Sequence, residues 1–165
     1  MEILKRTENS VLWLTHENEL GANAMIKEAE KKGIKKERLI FAARLPMDEY
    51  LSSYTCADLF LDTFNYSAGS TAVCALWGEI PVLTYAGQNN SSRMGASIVH
   101  AAGLDDFICK SKEDYLEKAI AYSSQKEKIK TAKLHLKNNK LATPLFNIKS
   151  AVKNMENVFL NILQK

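Results

Sequence analysis

Short apolar runs alternate with longer amphipathic segments along most of this chain. Val11-Leu12-Trp13-Leu14 is apolar throughout, the pattern of a buried strand. Residues 18–32 carry Ala22, Met25, Ile26 and Ala29 near helical spacing, with charges on the other side, and Gly33 supplies a helix stop. Leu39-Ile40-Phe41-Ala42 is the next strand. Pro46 then precedes a short helix with Tyr50, Leu51 and Tyr54, whose first turn suits Asp48 and Glu49. The alternation repeats as strand 59–63, helix 70–77, strand 81–85, helix 91–102 and short strand 106–109. Ser111 is placed to cap helix 112–124, with Asp114 three residues on. Helices over 126–140 and 147–163 follow, separated by Pro144. The last carries Ile148, Val152, Met155, Phe159 and Leu163.

Strands alternating with helices predict an α/β fold, a parallel sheet with helices on both faces and a helical C-terminal tail. Ligands of such sheets bind beyond the carboxyl ends of the strands. Residues 63–71 would lie there. Trp13 and Trp77 are expected in the core.

Composition narrows the class. The 165 residues suit one domain, and 46% apolar with 25% charged residues suits a packed globule with a wet surface. A net charge of +3 is too small and too diffuse to indicate a nucleic-acid partner. Lys126, Lys128, Lys130 and Lys133 read as a solvated helix face. No run of about 18 apolar residues exists to span a membrane, and charges interrupt the start where a secretion signal would lie. Cys56, Cys74 and Cys109 are dispersed and odd in number, which fits a reducing, cytoplasmic or nucleocytoplasmic setting rather than disulfides or zinc.

The loop before helix 70–77 is the candidate for chemistry. A helix N-terminus offers backbone N–H groups without partners and the positive end of the helix dipole, both suited to a phosphate. Gly69 permits close approach, and Ser70 and Thr71 add hydroxyls. The same residues also fit a ligand-free cap. Neither a Walker loop nor a dinucleotide fingerprint is present. His16 stands just past a strand end, and Asp62 is either a strand-end carboxylate or the cap of the loop after it. Arg93 could hold a phosphate or a neighbouring loop.

"ADLFLDTFNYSAGSTAVCALWGEIPVLTYAG", then "SSRMGAS" and "TPLFN", resembles the C-terminal catalytic lobe of the O-linked N-acetylglucosamine transferase family, which includes Spindly-like O-fucosyltransferases. The resemblance runs from about residue 2 to 163. It implies a Rossmann-like domain over residues 1–165, the C-terminal, nucleotide-sugar-binding lobe of a GT-B glycosyltransferase. The implied reaction is transfer of N-acetylglucosamine from UDP-N-acetylglucosamine to Ser or Thr of proteins, with no cofactor and no metal. It also implies that Ser70 and Thr71 contact phosphate and that Gly69 stands where animal enzymes have His. The Leu45 backbone would meet the nucleobase, and Tyr50 would lie against it. Cys74 departs from an Asp that touches the ribose. Spindly-like members carry Cys there, so GDP-fucose is the alternative donor. Met47 and Ser53 replace basic residues near the base.

The family's longer chain would place a strand, a helix, a diphosphate-binding Lys, a further lobe and tetratricopeptide repeats for protein acceptors before Met1. Glu2-Ile3-Leu4-Lys5-Arg6 would be the end of that helix. The absent strand would be central, so a rearranged sheet or self-association of this chain is expected. The rival of another class is a noncatalytic nucleotide-binding or interaction module.

Overall fold

A computed structural model describes residues 1–15 and 18–163. Eight helices and five strands alternate among them: α1 (Glu2–Arg6), β1 (Leu12–Thr15), α2 (Glu19–Lys31), β2 (Leu39–Ala42), α3 (Met47–Ser53), β3 (Phe60–Leu61), α4 (Ser70–Trp77), β4 (Val82–Tyr85), α5 (Asn90–Ala101), β5 (Ile108–Cys109), α6 (Lys112–Ser124), α7 (Lys126–Asn139) and α8 (Ile148–Leu163).

Local chemistry explains most boundaries. Asn18 caps α2 by accepting from the Gly21 amide at 2.7 Å. Gly33 ends α2 in the left-handed region, φ 76°, and the Gly33 and Ile34 amides reach back to Glu30 and Ala29 carbonyls. Asn89 and Ser92 form a reciprocal capping box at α5. Ser111 caps α6, while the Asp114 carboxylate takes the Lys110 amide at 2.8 Å. The predicted strand 106–109 begins later, because Asp105–Phe107 is a 3-10 turn. That turn buries Phe107 against Tyr122, and the Lys118 ammonium and Tyr122 hydroxyl donate to the Asp106 carbonyl.

All strand pairs are parallel, and they form two sheets, β1–β2, and β3–β4–β5 with β4 central. The division falls between β1 and β3, where the sequence reading expects a central strand to be missing. No strand among the described residues pairs with both β1 and β3, so each keeps one edge without a ladder partner. Helices α4, α5 and α6 pack around β4. The main core holds Leu76, Ile80, Val82, Leu83, Val99 and Leu136, each buried. A smaller core of Leu4, Ala29, Ile34 and Leu39 underlies β1–β2.

Neither tryptophan is a core residue. Trp13 and Ile40 stand on one face of β1–β2, 37% and 44% exposed. Strand alternation sends Leu12 and Leu14 to the small core and Trp13 to the other, more exposed face. Trp77 is 43% exposed, edge-on to Phe146 and beneath the Lys140 ammonium. The α7 lysines are mostly solvated, but Lys133 donates to the Ala57 carbonyl at 2.6 Å. Helix α8 has no buried side chain.

Candidate functional site

The loop between β3 and α4 is held at both ends by buried polar groups. Asp62 closes β3 and is 4% exposed. Its Oδ1 accepts from the Thr63 and Ala68 amides, both at 2.7 Å, and its Oδ2 accepts from the Thr84 hydroxyl on β4 at 2.6 Å. Of the two roles open to Asp62, the structure shows it capping the loop. Tyr115 of α6 donates to the Asp62 carbonyl at 2.9 Å. Further along, the fully buried Ser67 donates its hydroxyl to the Ser91 carbonyl and accepts from the Gly95 amide. Gly95 must lack a side chain here, since a Cβ would collide with the Asp62 carboxylate and lie 3.0 Å from Thr84 Oγ1. Phe64 packs edge-on against Tyr85 and Tyr115.

That anchoring leaves the start of α4 open. The N-cap is Gly69, and no side chain caps the helix. Ser70 and Thr71 are the first two helical residues rather than its cap, and both are exposed. The Ser70, Thr71 and Ala72 amides and the two hydroxyls have no hydrogen-bond partner among the described residues. A single helical face carries Ser70, Thr71 and the half-buried Cys74. A side chain on Gly69 would meet the Met94 thioether, 2.8 Å from its Sδ.

The other predicted residues flank α4. Leu45 is exposed in the turn after β2, with its backbone N–H and C=O unpaired among the described residues. Tyr50 lies on α3, half-buried, with its hydroxyl 2.6 Å from that of Tyr54. Tyr54 reaches the Thr71 carbonyl at 3.5 Å. Tyr50 is thereby linked to the first turn of α4, and both α3 and α4 follow carboxyl ends of parallel strands. Met47 is exposed at the start of α3, and Ser53 bonds the Tyr50 carbonyl. Arg93 makes no ion pair and holds no loop among the described residues. It lines a hollow of about 490 Å³ on α5 with Asn90, Met94, Ser97 and His100. His16 lies outside the described residues. No three His, Cys, Asp or Glu side chains converge as a metal site among the described residues.

Sequence reading missed Ser67, Thr84, Gly95, Tyr54 and Tyr115. Apart from the Tyr50 contact of Tyr54, four positions away, the partners that tie them to the site are 17 to 53 positions away, so no local motif marks those links.

The sequence profile of glycosyl transferase family 41 matches residues 1–155.

The chain belongs to glycosyl transferase family 41.

It is 30% identical over 161 residues to the Arabidopsis thaliana protein named "probable UDP-N-acetylglucosamine–peptide N-acetylglucosaminyltransferase SEC". It is 22% identical over 158 residues to the UDP-N-acetylglucosamine–peptide N-acetylglucosaminyltransferase of Caenorhabditis elegans. These matches cover 97% and 96% of this chain but 16% and 14% of those proteins. Among solved structures, a Thermobaculum terrenum O-GlcNAc transferase mutant superposes with a TM-score of 0.89 at 24% identity, over 96% of this chain and 31% of that one. The fold of this family 41 chain is therefore the C-terminal lobe of a GT-B glycosyltransferase. No helix of the described residues is long and apolar enough to cross a membrane.

The cysteines of this family 41 chain should differ sharply in reactivity. Cys56 is exposed, Cys74 half-buried and Cys109 buried, and burial pushes the Cys109 thiol up to about 11. A buried, protonated thiol is inert to alkylation. Iodoacetamide with peptide mass mapping should label Cys56 first, Cys74 more slowly and Cys109 only after unfolding. Native labelling of Cys109 at the Cys56 rate would contradict the packing around β5.

Proposed function

We propose that this chain is the donor-binding lobe of a protein O-glycosyltransferase that transfers N-acetylglucosamine from UDP-N-acetylglucosamine to Ser or Thr of proteins. The observation that carries this reading is the uncapped start of α4. There three backbone amides and two exposed hydroxyls have no partner among the described residues, at the end of a loop that Asp62 and Ser67 anchor. A diphosphate satisfies those donors and meets the positive end of the helix. In transfer, the diphosphate is the leaving group. Fixed donors aimed at it stabilise the charge that develops as the glycosidic bond breaks.

Leu45 and Tyr50 take the nucleobase in this reading. The Leu45 backbone offers a donor and an acceptor to a base edge, and the Tyr50 ring offers a flat apolar surface. Family relatives named UDP-N-acetylglucosamine–peptide transferases support the donor. Cys74 supports a second reading, a GDP-fucose donor. It is half-buried on the face of Ser70 and Thr71, and a thiol is a poor substitute for a ribose-binding carboxylate. The resemblance to Spindly-like members, which carry Cys here, implies fucose. The β1 and β3 edges that have no ladder partner among the described residues favour pairing with a further strand.

Titration calorimetry tests the proposal. UDP should bind more tightly than GDP, and Thr71→Ala should weaken UDP binding by roughly ten- to a hundredfold, the worth of a hydrogen bond to a charged group. A GDP preference would transfer the reading to fucose. Equal affinity in wild type and Thr71→Ala would remove the phosphate from α4.

A further inference from the structure

Tyr54 is a buried side chain that touches both flanks of the candidate site. It is 8% exposed. Its ring meets the Tyr50 ring edge-on, with centroids 5.1 Å apart. Its hydroxyl lies 2.6 Å from the Tyr50 hydroxyl and 3.5 Å from the Thr71 carbonyl. The 2.6 Å contact lets either hydroxyl donate, and a carbonyl only accepts, so when Tyr54 donates to Thr71 it is Tyr50 that donates to Tyr54. Burial first, then the Tyr50 hydroxyl, raises the Tyr54 phenol above its ordinary range, so it stays a donor. The seat for this ring is built in. Gly78, at the end of α4, has no room for a Cβ, which would lie 2.8 Å from the Cβ of Tyr54. The ring therefore lies along α4 with its hydroxyl at the first turn.

We infer that Tyr54 is a positioning residue, which fixes the Tyr50 ring relative to the open start of α4 and so sets the distance between nucleobase and diphosphate. This rests on the reading that α4 takes phosphate and Tyr50 the base. The physical reason is preorganisation. Helix α3 is only seven residues long and carries no side-chain cap, so its own hydrogen bonds hold Tyr50 weakly. A hydroxyl relay to α4 removes the freedom that a bound base would otherwise have to remove.

The test uses the 165-residue chain and calorimetric titration with UDP, GDP and inorganic pyrophosphate. Tyr54→Phe keeps the ring in its seat and removes only the relay. The preferred nucleotide should bind about five- to tenfold more weakly, the worth of one hydrogen bond. Pyrophosphate affinity should stay within twofold, since α4 itself is unchanged. Tyr50→Phe should show the same split, and the double variant should be no weaker than either single one, because the two changes break one relay. Equal loss for pyrophosphate and nucleotide would make Tyr54 merely structural and overturn the inference. So would additive losses, or unchanged nucleotide binding. If wild-type chain binds none of the three probes, the reading of α4 falls and the role of Tyr54 falls with it. That failure shows in the wild type, whereas failure of the relay shows only in the variants.

Discussion

Supplied with UDP-N-acetylglucosamine or GDP-fucose and protein acceptors, the 165-residue chain is expected to bind nucleotide and form no glycosylated product. Sugar transfer needs donor and acceptor hydroxyl held together, and that proximity and orientation account for about 7–11 kcal/mol of such barriers. This chain spans 16% of one relative and 14% of another, and in the proposed reading it is the donor side of a cleft. Its own groups do not compensate. Asp62, the carboxylate at the base of the site loop, is buried and taken up by three donors. It has no room to accept a proton from an acceptor hydroxyl. Ser70 and Thr71 have no hydrogen-bonded base beside them among the described residues. Radiolabelled donor and a count of labelled acceptor measure the outcome. Multiple-turnover transfer that Thr71→Ala abolishes would show that the chain holds catalytic groups not recognised above.

Replacing Asp62 by Ala is expected to lower stability by about 3–5 kcal/mol, because three neutral donors lose their acceptor and each costs about 1–3 kcal/mol when left unsatisfied away from water. Two part-buried backbone amides and the buried Thr84 hydroxyl lose their acceptor. Urea denaturation should show the midpoint falling with little change in slope. Asp62→Asn should cost less, since an amide oxygen still accepts from Thr63 and Ala68 and the Thr84 hydroxyl can accept from the new NH₂. The same change should reach function. Ala68 leads directly into Gly69, so a loosened loop disorders the diphosphate donors, and nucleotide affinity should fall alongside stability. A loss under 1 kcal/mol in Asp62→Ala would mean that water replaces the carboxylate and that the loop is not held as described.

The sequence reading and the structure agree where the physics is local. Helix α4 spans Ser70–Trp77 and α6 spans Lys112–Ser124, as the pattern predicts. Caps such as Ser111 to Asp114, and the Gly33 stop, act within a few residues and leave a readable motif. The loop before α4 was legible as a candidate site for the same reason, since small residues, hydroxyls and a helix start are adjacent in the chain. Whether Ser70 and Thr71 cap the helix or stand open was not legible. That depends on which residue leaves helical geometry, and the structure makes it Gly69.

The sequence by itself therefore determined the order of strands and helices, the parallel α/β class and the place of the diphosphate-binding candidate. Each follows from periodicity or from groups a few positions apart. Tertiary structure alone decided that Trp13 and Trp77 face outward, and that Asp62, Ser67 and Tyr54 hold the site. A buried polar group must find its partner wherever the fold brings one. Asp62 finds Thr84 22 positions away, and its carbonyl finds Tyr115 53 positions away. Pairings of that range are fixed by packing of whole elements around β4, and no local pattern of residues records them.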